Sequence, residues 1–236
     1  MQARIDVGAV VSRVFKIYID QASVLMPAAA VVFVISGILT GVLVIASPAL
    51  AVLGVLISLV ATTLFTGMVV ELVADVQDGR RDASVSGLLK AAMPVLGQLI
   101  LVGILGGIGI VIGFVLLVVP GLILLTIWSV AAPVVVLEHP GAVRALGRSR
   151  ELVRGNGWQV FGVVLVLDIL VVLLASIVEA VGDSASTAAG IIVRVIVGIL
   201  TAPLAALAAS VLYFELQGPA TPEPPSQPAD GPAGPT

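Results

Sequence analysis

The sequence predicts an all-α integral membrane protein: a helical bundle of six transmembrane helices in three hairpins, each preceded by a cytoplasmic amphipathic helix. Three observations carry this. Of 236 residues, 59% are hydrophobic and only 11% charged, and the mean hydropathy is +1.23. A soluble domain carries about 25% charge, so this chain lacks the polar side chains to cover a water-facing surface, and its solvent is lipid. Second, its uncharged runs are long enough to cross a ~30 Å hydrocarbon core, which takes about 20 helical residues. Third, most of its charges are gathered into short segments between those runs.

Residues 4–20 read as an amphipathic helix. Val7, Val10, Val14 and Ile17 follow 3-4-3 spacing on one face, with Asp6, Arg13, Lys16 and Asp20 on the other. So many charges place it in the interface plane rather than across the bilayer. They also depart from a cleavable signal, which keeps its cations ahead of an unbroken apolar core. Ala22 to Ala46, without a charge, is the first span, and Ser47-Pro48 marks a turn. The second span runs from Ala49 to Val70 and on to about Val76. Residues 77–83 form a polar loop, and Val85, Leu88, Leu89 and Ala92 make a short apolar face beside Lys90.

Between Lys90 and Glu138 lie 47 uncharged residues. As helix they extend ~70 Å at ~1.5 Å per residue, about twice one crossing. Pro120-Gly121 is the expected turn, since proline lacks a donor and glycine tolerates positive φ. Spans three and four are therefore expected at about 95–118 and 122–137. Residues 141–155 form a third amphipathic helix, with Ala142, Leu146, Ser149 and Val153 on one face and Arg144, Arg148 and Glu151 on another. Trp158 to Val181 is the fifth span and Ala188 to Leu216 the sixth. From Gly218 on, seven prolines in nineteen residues make a disordered, Pro-rich cytoplasmic tail. The chain thus divides into a membrane domain, 1–217, and a tail, 218–236. Units 4–76, 84–137 and 141–216 suggest a threefold repeat of helix plus hairpin.

Charge placement orients the chain. Arg4, Arg13 and Lys16 precede the first span; Arg80, Arg81 and Lys90 separate spans two and three; Arg144, Arg148, Arg150 and Arg154 separate four and five. Of the eleven cations only Arg194 lies elsewhere, inside span six. The positive-inside rule then places both termini and all three amphipathic helices in the cytoplasm, and the abundance of Ala, Val and Gly points to a high-GC bacterium, whose inner membrane would hold the spans.

The chemistry-bearing residues are few. With no cysteine and a single histidine, His139, neither a thiolate nor a multi-histidine metal site is expected. Asp75-Val-Gln-Asp78-Gly79 resembles the opening of the CDP-alcohol phosphotransferase signature, but the positions that should carry its further aspartates are apolar. No catalytic residue, metal, cofactor or nucleic-acid contact is expected, and the protein is not expected to be an enzyme.

The densest signal is Arg144, Arg148, Arg150 and Arg154. Such juxtamembrane cations attract anionic headgroups at ~1 kcal/mol per charge. They either fix topology alone or contact lipid or a protein partner. Asp168, Glu179 and Arg194 lie inside spans; an intramembrane charge is a site by default, with a partner expected. They form either structural pairs or a polar site for a small-solute or lipid transporter. Gly103, Gly107, Gly109 and Gly113 suit close helix packing, within the bundle or between copies. Trp158 fits an interfacial anchor, and Trp128 a packed core residue.

Pro120-Gly121, Trp128, Pro133, Glu138, Ala145-Leu146, Arg148-Ser149, Leu152, Gly155 and Trp158 together resemble a bacterial membrane family. It is the membrane domain found with some glycerophosphoryl diester phosphodiesterases, and related uncharacterised multi-pass proteins. The distinctive part covers about forty residues, 120–158. In that family hydrolysis belongs to a separate soluble barrel, so the resemblance implies a membrane module without the enzyme. The expected function is a non-enzymatic membrane protein that organises lipid or a partner through its basic cytoplasmic face.

Overall fold

A computed structural model describes residues 5–79, 84–182 and 187–218; the side chains of residues 48, 177–182, 187–192 and 194 fall outside that description. Ten α-helices carry the described chain: α1 Val7–Asp20, α2 Ala22–Ala46, α3 Ala51–Gln77, α4 Val85–Ala92, α5 Leu96–Leu116, α6 Val118–Ile127, α7 Ala131–Glu138, α8 Ala142–Val153, α9 Gly157–Gly182 and α10 Thr187–Gln217. No strand occurs among the described residues. Six segments are long and apolar enough to cross a membrane: Ala22–Ala46, Ala51–Gln77, Val85–Leu116, Val118–Glu138, Gly157–Ser176 and Val195–Gln217.

α1 starts where Asp6 takes an extended backbone and its carboxylate accepts from the free N–H groups of Gly8 (2.8 Å) and Ala9 (3.2 Å). Its Val10, Val14 and Ile17 are buried, as the spacing predicts, and α1 packs against α9 and α10. Ser47 adopts extended backbone between α2 and α3, and the two helices pack together, with Thr40 Oγ1 donating to the Gly54 carbonyl at 3.3 Å. α10 contacts α1, α2, α3 and α9. The side chains that let it pack so closely are small or compact: Ala206, Leu207, Ala208, Val211 and Leu212 are all buried. Facing outward are Ile38, Val42, Ile45, Ile108, Val115 and Val172, each exposed. A water-soluble monomer does not leave so much contiguous apolar surface bare; lipid covers it here.

Two expectations are corrected. The turn between spans three and four falls at Leu117, which is extended (φ −165°), so Pro120 and Gly121 lie in the first turn of α6. A proline there loses no hydrogen bond, because the first N–H groups of a helix have no acceptor within it. Gly121 serves close approach instead: a Cβ on it would lie 2.5 Å from the Phe114 ring, and one on Gly113 would lie 3.0 Å from the Gly121 backbone. Second, α4 is not a separate interfacial helix. It runs into α5 through the 3-10 turn Met93–Val95 and packs along α3, where Ala92 and Leu99 close over Gly67.

Span four is interrupted. Its α-helical pattern lapses at Trp128–Val130, between α6 and α7. The cause is legible in the chain: Pro133 has no N–H to give the carbonyl of Ser129 four residues back. The Ala131 N–H bonds Trp128 instead, at 3.1 Å, which leaves the Ile127 carbonyl without its usual donor.

Candidate functional site

The site is built at the junction of α7 and α8. His139 is the one non-glycine residue with positive φ among those described (φ 52°), and Gly141 follows at φ 87°. This pair reverses the chain, so α8 returns along α7 and packs against it. Ala142, Ala145, Ser149, Leu152 and Val153 of α8 are buried. Ser149 Oγ donates to the Ile127 carbonyl at 2.8 Å, supplying the hydrogen bond that the helix break removed.

Beside it stands Glu138, the last residue of span four. Its carboxylate accepts from Arg148 Nε at 3.1 Å, from Tyr213 Oη at 3.0 Å and from Gln217 Nε2 at 3.5 Å. Arg148 Nη1 also meets Glu151 at 3.4 Å. Burial works to lower the Arg148 pKa, but the two carboxylates outweigh it and leave the guanidinium above its ordinary value. Adjacent residues, Arg148 and Ser149, thus fasten α8 to two points of span four that are eleven residues apart. At the same end of the bundle, Arg13 bonds Glu215 (2.6 Å) and Gln77 (3.0 Å), tying α1 to the ends of α10 and α3. The interfacial helices are clamped to the spans.

This sorts the four sequence-predicted arginines. Arg148 faces the protein, as an ion-paired brace. Arg144, Arg150 and Arg154 are exposed, and none has a salt bridge among the described residues. At the α8–α9 connection a cavity of about 600 Å³ is lined by Gly147, Arg150, Glu151, Arg154, Gly155 and Gly157. Trp158, at the start of α9, is 83% exposed with its ring edge-on to Phe161, the posture of an interfacial anchor. Trp128 lies over Gly106 and Gly109, where a Cβ on Gly109 would come within 2.5 Å of its ring.

Of the three intramembrane residues, only Asp168 has a described side chain. Asp168 is exposed and lines a second cavity, of about 240 Å³, with Trp128, Ser129, Ala205, Ala208 and Ala209. Residue 194 lies eleven residues before Ala205 on α10, ~16 Å along the axis at ~1.5 Å per residue. The side chains of Glu179 and Arg194 fall outside the described residues, as does the Pro-rich tail from 219. Among the described residues no three His, Cys, Asp or Glu side chains gather as a metal site. Sequence reasoning missed Tyr213, Gln217, Gln77 and the Arg13–Glu215 pair. Their signal was weak: polar residues in the last turn of an apolar span, which also mark a simple exit from the bilayer.

Six apolar spans, an apolar exterior and a polar clamp at one end define the class: a multi-pass helical membrane protein. More particularly, the chain is 34% identical over 103 residues to a UPF0259 membrane protein of Pectobacterium carotovorum subsp. carotovorum (strain PC1). The match covers 44% of this chain and 41% of that relative's length. No family model matches the chain, and no solved structure does. The similarity supports an uncharacterised bacterial membrane protein. It does not support the phosphodiesterase-associated membrane domain in particular.

Proposed function

We propose that this protein is a non-enzymatic module of the bacterial inner membrane, with both termini cytoplasmic, that organises anionic lipid through the basic face of α8. The observation that supports the reading most is the division of labour on that helix. Arg148 and Ser149 hold it to span four, while Arg144, Arg150 and Arg154 are left exposed beside the membrane. A rigid cationic shelf loses less conformational freedom on meeting a charged surface than a mobile segment would. An acidic protein segment could use the same face, which is the coarser form of the proposal.

The test is the lipid carried by the purified protein. Replacing Arg144, Arg150 and Arg154 together with Gln should abolish any excess of anionic over zwitterionic phospholipid measured by mass spectrometry. An unchanged lipid ratio would sink the reading.

A second reading, a carrier of lipid or small solute, is favoured by the cavity that Asp168 and Ser129 both line beside the helix break. A charge at mid-membrane costs about 2.5–3.5 kcal/mol on insertion scales, and broken spans at that depth often border binding sites. On this reading Asp168→Asn slows transbilayer movement of a fluorescent phospholipid in proteoliposomes. Equal rates for wild type and variant would exclude a lipid carrier.

A further inference from the structure

We infer that the cavity between the end of α8 and the start of α9 binds a single phosphate oxyanion, with Arg150 and Arg154 as its ligands. The inference rests on the reading of α8 as an anion-facing surface and narrows it to one pocket.

Helical geometry separates two faces. At about 100° per residue, Gly147, Arg150 and Arg154 fall within roughly a 60° arc, and Arg144, Arg148 and Glu151 centre on another. The second face is spent on Glu138 through Arg148. The first sets Arg150 and Arg154 on the cavity wall, where neither has a salt bridge among the described residues. The acid on that wall, Glu151, is engaged by Arg148 at 3.4 Å, which offsets its repulsion of an anion.

The remaining wall is built to leave room. Gly147, Gly155 and Gly157 present no side chains, and Gly155 holds φ 96°, a backbone that L side chains rarely adopt. The volume, about 600 Å³, falls in the range of sites that hold small ligands. Ile127 closes the cavity toward the span with an apolar side chain. Exposed Trp158, one residue beyond Gly157, sets the cavity at headgroup depth. Paired arginines without carboxylate partners match the oxygens of a phosphate, which they contact bidentately.

The phosphate can belong to a phospholipid headgroup or to a soluble phosphate, and the experiment separates the two. The full chain is placed in nanodiscs of phosphatidylcholine. One arm titrates in phosphatidylglycerol and follows retention by native mass spectrometry; the other titrates inorganic phosphate by calorimetry. Arg150→Gln with Arg154→Gln should weaken binding about tenfold or more in the arm that responds. Lys16→Gln, an exposed cation on α1 outside the cavity and off the α8 face, should change it by less than about twofold. A response to phosphatidylglycerol alone assigns a lipid headgroup, and a response to phosphate assigns a soluble ligand. If Lys16→Gln weakens binding as much as the pair, attraction is diffuse; the pocket is then overturned while the broader reading of a cationic surface stands. If no variant alters binding in either arm, both fall. All three side chains are exposed, so circular dichroism should show unchanged helix content in each variant.

Discussion

Single residues set how closely the helices approach. Gly109 and Gly103 share α5, and the sequence assigned them one role in close packing. The structure divides them. A Cβ on Gly109 would sit 2.5 and 2.6 Å from atoms of the Trp128 ring, whereas one on Gly103 meets nothing within 4 Å. We expect Gly109→Ala to destabilise by about 1–3 kcal/mol, the range for overpacking a filled contact. Gly103→Ala should be neutral or slightly stabilising, since alanine is the better helix former. Thermal unfolding of the two variants in the same detergent compares them directly, and equal midpoints would contradict the assignment. Tyr18, on α1, shows a residue-scale effect of burial. Its hydroxyl donates to the Leu200 carbonyl at 3.1 Å, and burial pushes its pKa above the usual phenol value. A group raised in the folded state contributes stability that is whole below the unfolded pKa, near 10, and lost as pH rises through the folded value. Tyr18→Phe should therefore remove that part of the alkaline loss of stability.

At the scale of elements, α8 is the informative case. Its buried face was legible from spacing alone, because apolar and small residues recur every three to four positions. Its attachment was not. Glu138 and Arg148 are ten residues apart across a chain reversal, and Tyr213 comes from a helix at the other end of the sequence. Local periodicity carries no information about such partners. If these groups act as one unit, Glu138→Ala and Arg148→Ala should be non-additive, with a coupling of about 0.5–3 kcal/mol in a double-mutant cycle. Additive losses would mean that the ion pair observed between them contributes nothing to holding α8. The break in span four belongs to the same scale. The missing N–H of Pro133 accounts for the break, but only the fold shows that Ser149, from the next helix, satisfies the carbonyl left over at Ile127.

For the whole molecule, the polar clamps gather the ends of α3, α7 and α10 with α1 and α8 at one end of the bundle. Arg13, Gln77 and Glu215 meet there, as do Glu138, Arg148 and Tyr213. The turns at Ser47–Leu50 and Leu117 belong to the opposite end. Because the chain has no cysteine, a single cysteine reports cleanly on side. One at Ser47 and one at Arg144 should react with a membrane-impermeant thiol reagent from opposite faces of the membrane, Ser47 in intact cells and Arg144 only in inverted vesicles. Labelling of both from the same face would overturn the topology and the proposals built on it.

By itself the sequence determined that this protein is helical, that it lives in lipid and roughly where each apolar segment lies. Those properties are sums over contiguous residues: transfer of apolar area and the internal pairing of backbone groups that a bilayer demands. The tertiary structure decided the turn at Leu117, the merging of α4 with α5, the use of Arg148 as a brace and the placement of Asp168 beside the break in span four. Each depends on which surfaces meet. A charge reads the same in the chain whether it faces a carboxylate or open space, and only packing distinguishes them.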